Sequence, residues 1–474
     1  MPDLHVVILA AGKGTRMKSA LPKVLHPLAG RSLIEHVLRT VDQLHVATTT
    51  LVVGHGADQV RSALAHRPNL NFVVQSPQLG TGHALLQAEP VLKDLKGDVL
   101  LLYADVPLLE SGTLSRLLET HRTTKAAATV LTAELDDPYG YGRIVRDESG
   151  AIARIVEQRD ASSAQQAIRE INSGIYAFSL APLFEHLHHL ATDNAQGEYY
   201  LTDLVAMYRQ KQKKVETLCL DSADQLRGVN SRVDLSDLTS VVRARKNRSL
   251  MLAGVTLEDA GSTYVDLDVT VGADTVIGPG VRLEGTTIVG DRCRIHAGSR
   301  LTNAAIANDV TILDYTIVID STIRDGAAVG PMAHIRPNSE VGPSARVGNF
   351  VELKKTSLGE GSKANHLAYL GDATIGSGVN IGAGTITCNY DGVNKHRTVI
   401  DDGVFIGSDS QLIAPVTVGK DAYVAAGSSI TGDVPAGSLA LARSRQIIKD
   451  GWATTRRAER EAAKAAREAT KGDS

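Results

Sequence analysis

Two hydrophobic rhythms divide the chain. In the C-terminal half aliphatic residues recur every six positions, at Val271, Ile277, Leu283, Val289, Ile295 and Leu301, then at Val329, Ile335, Val341, Val347 and Leu353. The beat returns at Ile375 and Ile381, and again from Ile400 through Ile406, Leu412, Val418 and Val424 to Ile430, usually with a small residue nearby. A helix of about 3.6 residues per turn would rotate such positions off any single face. Short strands joined by tight corners instead point each aliphatic inward, onto its equivalent one coil above. The pattern predicts a parallel β-helix built from hexapeptide repeats.

The N-terminal half follows another rule. Continuous apolar runs at 6–9, 51–53, 72–74 and 99–102 alternate with amphipathic stretches such as 33–41. This predicts a parallel sheet covered by helices on both faces, with ligands gathering at the carboxyl ends of its strands. Between the halves, 231–252 carries Leu235, Leu238, Val241 and Val242 among many charges and is expected to form a long linking helix. The expected organisation is an α/β domain over 1–229, a helical linker over 230–252, and a third region over 253–474. In that region the β-helix runs to about residue 438, and a tail rich in Ala, Arg, Lys and Glu follows.

Composition agrees with two parts. At 474 residues the chain exceeds one ordinary core. Its 43 glycines and only 4% aromatics suit a narrow solenoid interior. A net charge near −3 gives no polyelectrolyte argument for nucleic acid, so charged ligands need local sites. The three cysteines, Cys219, Cys293 and Cys388, have no CxxC spacing, which argues against a disulfide framework and structural zinc and for a reducing cytoplasm. No run approaches the roughly 18 apolar residues of a membrane span, and neither a signal peptide nor a membrane partner is expected.

The first chemical feature follows the first apolar run, at Leu9-Ala10-Ala11-Gly12-Lys13-Gly14-Thr15-Arg16-Met17, with Pro22-Lys23 beyond it. Small residues let backbone N–H groups approach phosphates, and Lys13, Arg16 and Lys23 supply neutralising charge. A Walker A loop is excluded because Gly14 follows Lys13, and the dinucleotide fingerprint because Met17 stands where its third Gly belongs. A bare glycine turn is the plainer reading of the loop, a helix cap that of Asp105, and an ordinary surface carboxylate that of Glu157. In the solenoid a polar cluster between Arg336 and Asn389 breaks the aliphatic monotony. Arg336, Lys354 and Asp372 are each 18 apart, which predicts that the two cations stack as a clamp for a sugar phosphate. His366 is the candidate base there. A polar insertion at 387–397 interrupts the repeat, and solenoid insertions often mark a binding face.

The loop Leu9 to Met17 with Pro22-Lys23 resembles the signature of sugar-phosphate nucleotidylyltransferases. Further pieces follow in order: Gln75, Gly80-Thr81-Gly82-His83-Ala84, Tyr103-Ala104-Asp105-Val106-Pro107, Gly140-Tyr141-Gly142-Arg143-Ile144, Glu157, Asn172 with Gly174, and Gly228-Val229-Asn230. With the hexapeptide half, the chain up to about Trp452 resembles the bacterial family of bifunctional N-acetylglucosamine-1-phosphate uridyltransferases and glucosamine-1-phosphate N-acetyltransferases. The resemblance implies a Rossmann-like nucleotidyltransferase (pyrophosphorylase) domain, a linking helix and a left-handed parallel β-helix acetyltransferase domain. It implies UTP and UDP-sugar contacts at Leu9, Ala10, Ala11, Gly12, Lys23, Gln75, Gly80, Thr81, Tyr103, Asp105, Gly142, Glu157, Asn172 and Asn230. Arg16 and Lys23 are then catalytic, and Asp105 and Asn230 ligate Mg²⁺. For acetyl transfer it implies His366 and Glu352 as catalytic groups, and Arg336, Lys354, Tyr369 and Asn380 around glucosamine 1-phosphate. Ala383, Asn389, Tyr390, Ser408, Ala426 and Arg443 then contact acetyl-CoA between the subunits of a homotrimer. Two positions depart from the pattern. Ala104 stands where Gly is expected, its methyl narrowing the approach of nucleotide or metal, and Asn365 stands where a small residue or Pro is expected. The alternatives are a single-activity nucleotidylyltransferase with a regulatory β-helix and a non-catalytic trimeric scaffold.

Overall fold

The computed structural model describes residues 2–471. It divides into two compact units, one comprising the chain to Ala273 with Ile277–Thr287, the other Asp274–Val276 with the chain from Ile288 onward.

The first unit is built on a nine-stranded sheet. Its strands are β1 (Leu4–Ala10), β2 (Thr48–Val53), β3 (Leu70–Val74), β4 (Asp98–Tyr103), β5 (Ala128–Glu134), β6 (Gly142–Arg146), β7 (Ile152–Val156), β8 (Glu170–Ser179) and β9 (Val215–Leu220). The main path runs β9-β5-β8-β4-β1-β2-β3, with β6 paired to β8 and β7 to β6. The apolar runs are continuous because both faces of the sheet are covered. Side chains alternate across a strand, so Val6, Ile8 and Ala10 enter one core cluster while Val7, Leu9 and Ala11 enter the other. On the first face pack α1 (Leu33–Val41), through Ile34, Val37, Leu38 and Val41, and α3 (Ser111–Thr124), through Leu114, Leu117 and Leu118. On the second pack α2 (Thr81–Leu86), α4 (Leu180–Leu187) and α5 (Asp203–Gln210).

The sheet is mixed, not wholly parallel as the alternation predicts. Strand β8 runs antiparallel to both β4 and β5. A parallel return needs a long crossover, usually a helix. Between β7 and β8 the chain offers only one short helix, Ser163–Gln166. The periodicity reads burial and cannot read strand direction.

Helix α6 (Arg232–Leu252) is capped by Ser231, whose side chain accepts from the Asp234 amide while the Asp234 carboxylate accepts from the Ser231 amide. Its Leu238 and Val242 join Met17, Leu28, Leu33 and Val229 in a third cluster, which anchors the phosphate-type loop through Met17.

The second unit is a parallel solenoid in which each strand pairs with the next coil, in three sheets. Ile295 lies over Ile312, Val329 over Val347 and Ile406 over Val424, all buried. Val271, in the first unit, is an exception to the inward rule, being half-buried. Between Leu301 and Val329 the buried column continues through Ile306, Ile312, Val318 and Ile323, with two five-residue steps that a strict sixfold count misses. Coils are therefore 17 or 18 residues long, as in Leu353 over Leu370 and Ile335 over Leu353. The insertion lengthens one coil, so that Ile375 pairs with Ile400. Helix α7 (Trp452–Lys471) follows the last coil, exposed throughout its described side chains.

Cys219, Cys293 and Cys388 are all free thiols. Among the described residues no helix is long and apolar enough to cross a membrane.

Candidate functional site

The carboxyl ends of β1, β3 and β4 carry the first site. Leu9 and Ala10 end β1 and Ala11 follows it, Gln75 follows β3 and donates its backbone N–H to the Val53 carbonyl, and Asp105 lies two residues past β4. Asn230 is brought to Asp105 by Val229, whose amide donates to the Asp105 carbonyl at 2.9 Å. The Lys23 ammonium donates to the Asp105 carboxylate. The Asn230 side-chain oxygen accepts from Arg16 Nη2 at 2.9 Å and Lys23 Nζ at 3.4 Å. One carboxylate and one amide oxygen, from positions 125 apart in sequence, thus share Lys23, and Arg16 joins them through Asn230.

Two cavities meet at this group. One, of about 280 Å³, is lined by Leu9 to Gly12, Lys23, Gln75, Gly80, Thr81, Tyr103 and Asp105. The other, of about 500 Å³, is lined by Arg16, Thr81, Tyr103, Asp105, Gly142, Glu157, Asn172 and Asn230. Every residue expected at the nucleotide and sugar of this half therefore faces one cavity or the other, and Thr81, Tyr103 and Asp105 face both. Gly80 has φ of +106°, and a Cβ there would come within 2.7 Å of the Tyr199 carbonyl, so only glycine fits the entrance to α2. Burial pushes the Glu157 carboxyl above the usual carboxylate range, helped by Asp160, Asp203 and Glu198 and opposed by a 3.2 Å hydrogen bond from Thr202. Burial and the charges of Glu157 and Asp105 hold the Tyr103 phenol well above its ordinary value, so it stays a neutral donor. The Ala104 methyl does not face the cavities. It is fully buried in the first core cluster, and the substitution costs the site no room.

Two residues here escape sequence reasoning, and a third, Arg143, stands in a motif that showed it without a role. Gln78 donates to the Ala11 carbonyl at 3.0 Å, and Thr202 holds Glu157. Arg143 is 1% exposed with no carboxylate among its hydrogen-bond partners. Its guanidinium donates to the Tyr141 carbonyl and, at 2.8 Å, to Gln158 Oε1, which also accepts from the Gly140 amide. These bonds pin the 140–142 loop over the larger cavity.

The solenoid carries the second group. Arg336 lies one coil from Lys354, as the register of Ile335 with Leu353 requires. The next interval is a correction: Lys354 pairs with Gly371, not Asp372, because that coil has 17 residues. Asp372 sits one position on, at a left-handed corner, and its carboxylate accepts from Lys354 Nζ at 2.7 Å and from the Asn389 amide. Arg336 is likewise tied, with Nη1 donating to Glu352 Oε1 at 2.7 Å. Lys395, in the insertion, stands close enough to Lys354 that the two ammonium groups repel and its pKa falls. Its motif was visible in the sequence, its role was not. Lys354, Asp372 and Lys395 line a cavity of about 580 Å³. Glu352 lies over Tyr369, and Asn380 is one coil from Lys363. His366 is exposed, with Nδ1 2.9 Å from Asn349 Oδ1. Asn365 sits one coil from Gly348, whose missing side chain its carbonyl occupies.

Ala383 accepts from the Asp409 amide one coil on, Ser408 from Gly427, and Ala426 from Arg443 Nη1 at 2.7 Å, so these four form one column. Tyr390 closes on the insertion itself, its hydroxyl donating to the Gly392 carbonyl at 2.6 Å. Asn389 is committed to Asp372, away from that column.

Among the described residues no three His, Cys, Asp or Glu converge as a metal site. The Asp105–Asn230 pair nevertheless fits a hard divalent ion, because both donors are oxygens and both already draw cations. Magnesium commonly takes one or two protein oxygens beside water and phosphate.

A MobA-like NTP transferase domain matches residues 6–197, and a bacterial transferase hexapeptide (six repeats) model matches 268–303 and 397–432. The Bifunctional protein GlmU of Pelobacter propionicus is 50% identical over 452 residues, 95% of this chain and 98% of that protein. That of Brevibacillus brevis is 51% identical over 453 residues, 96% and 98% of the two chains. That of Koribacter versatilis is 48% identical over 458 residues, 96% and 97%. With identity near one half across nearly its whole length, the chain belongs to the family of bifunctional GlmU proteins.

Proposed function

We propose that the chain makes UDP-N-acetylglucosamine, a cell-wall precursor, in two reactions. The solenoid transfers acetyl from acetyl-CoA to glucosamine 1-phosphate. The α/β unit then transfers uridylyl from UTP to N-acetylglucosamine 1-phosphate and releases pyrophosphate. The observation that carries this reading is the convergence of Lys23, Arg16, Asp105 and Asn230 where two cavities join, on a chain whose solenoid holds a second polar group.

In the uridylyl step the sugar-phosphate oxygen attacks the α-phosphorus of UTP, and the bond to the bridging oxygen of the leaving pyrophosphate breaks. Two anions must meet, so charge neutralisation and alignment carry the rate. Gln75, Gly80 and Thr81 orient uracil in the smaller cavity. Gly142, Glu157 and Asn172 hold the acetylated sugar in the larger one. Lys23 and Arg16 neutralise the phosphates at the junction. Asp105 and Asn230 would hold Mg²⁺, which when bound offsets phosphate charge.

In the acetyl step the sugar amine attacks the thioester carbonyl, the amine loses a proton to His366, and the carbon–sulfur bond breaks to release CoA. Lys354 and Arg336 hold the sugar phosphate with Tyr369 and Asn380, and Glu352 orients the site. Ala383, Asn389, Tyr390, Ser408, Ala426 and Arg443 receive acetyl-CoA between subunits of a homotrimer in the cytoplasm.

Mass spectrometry of products from glucosamine 1-phosphate, acetyl-CoA, UTP and Mg²⁺, with each omitted in turn, tests the reading. UDP-N-acetylglucosamine formed only with all four supports it. Uridylylation of supplied N-acetylglucosamine 1-phosphate without any acetylation reduces the solenoid to a scaffold or regulator.

A further inference from the structure

The imidazole proposed as the acetyl-transfer base is held by a side chain to which no role has been assigned. We infer that Asn349 is the positioning residue that fixes the tautomer and direction of His366, an inference that rests on reading His366 as the base. The contact is 2.9 Å from Asn349 Oδ1 to His366 Nδ1. A carboxamide oxygen can only accept, so Nδ1 carries the proton and Nε2 keeps the lone pair that a base requires.

The backbone builds this contact. Asn349 and His366 are register partners on adjacent coils, each at the end of its strand. Each is followed by a bulky residue in left-handed conformation, Phe350 with φ of 56° and Leu367 with φ of 50°. The Leu367 amide donates to the Asn349 carbonyl at 3.1 Å. One position earlier, a Cβ on Gly348 would lie 1.8 Å from the Asn365 carbonyl. Glycine thus lets the coils close at this rung, and two matched corners aim the side chains from the same direction.

A carboxamide also differs from a carboxylate in charge. It orients the ring through a neutral hydrogen bond and brings no charge of its own to the imidazole. The other ionisable side chains on this strand and the two packed against it are Lys363 and Arg346, paired with each other three positions away.

The test uses the full chain and compares acetyl and uridylyl rates in Asn349→Ala, Asn349→Asp and His366→Ala. Asn349→Ala is expected to lower kcat for acetyl transfer about 10–100-fold at unchanged KM for glucosamine 1-phosphate, with the uridylyl rate intact. Asn349→Asp keeps an acceptor on Nδ1, so it is expected to retain most of the rate while the acidic limb of the kcat/KM profile moves to higher pH. If His366→Ala is inactive in acetyl transfer while Asn349→Ala matches the parent and Asn349→Asp leaves the profile in place, this inference alone is overturned. Retained acetyl transfer in His366→Ala overturns the reading of the base together with it.

Discussion

The two polar groups of this molecule are assembled by opposite means. In the α/β unit, Arg16 and Lys23 come from the segment after β1, Asp105 from the end of β4 and Asn230 from the approach to α6, and they are joined by single contacts such as Val229 to Asp105. In the solenoid, Arg336 with Lys354, Glu352 with Tyr369 and Asn349 with His366 are neighbours because adjacent coils pair residue by residue. A loop-built site is set by the ends of many elements, and changing one residue affects one function. A column-built site is set by register, and anything that alters coil spacing reaches every member of the column.

The largest separation of the two activities is expected when one group is removed from each site. His366→Ala is expected to lower acetyl transfer by about 10²–10⁴ and spare uridylyl transfer, measured by CoA release against pyrophosphate release. Equal loss of both would contradict independent sites. Asp105→Ala is expected to do the converse, with uridylyl transfer reduced by about 10²–10³. Persistent Mg²⁺-dependent pyrophosphate release in that variant would remove Asp105 from the metal site.

Smaller effects sharpen the contrast. Gly348→Ala forces a methyl into the Asn365 carbonyl and is expected to cost about 1–3 kcal/mol, read by chemical denaturation, with acetyl transfer falling and the uridylyl rate steady. Glu157→Gln is the smallest and concerns pH. Because burial raises the folded pKa of Glu157 above its unfolded value, the unfolded chain releases this proton first as pH rises, and stability falls through that window. The variant removes that fall and keeps an acceptor for Thr202, so its Tm is expected to rise slightly at neutral pH while KM for N-acetylglucosamine 1-phosphate increases. An unchanged KM would take Glu157 out of the sugar contacts.

What could be read from the chain follows the same division. The hexapeptide beat identified the buried columns because one aliphatic per strand faces inward, as at Ile295, Val347 and Ile406. It misjudged Lys354 and Asp372 by one position, since a corner absorbs a residue without disturbing the buried column. The apolar runs at β1, β2 and β4 were legible because both faces are buried, and that at β3 survives as a half-buried edge strand, but the antiparallel course of β8 was not legible, since direction leaves no trace in hydrophobicity. In the first site the motifs supplied the glycines and charged residues. Thr202 and Gln158 carry no local signal, because their partners Glu157 and Arg143 reach them through tertiary packing alone.

The insertion between the coils is braced within itself. Asp391 accepts from the Val393 and Asn394 amides and from His396 Nε2 at 2.7 Å, while Tyr390 bridges back to Lys395. These bonds, His396 foremost, keep the Asp391 carboxyl far below its usual range. Such an excursion is a turn held by its own bonds, with Asn389 and Arg397 at its two ends tying it to Asp372 and Thr374 on the solenoid. Grafted between two coils of another hexapeptide solenoid, it is expected to bring its turn with it, while its lysine finds the same surroundings only where the coil beneath supplies counterparts of Lys354 and Asp372.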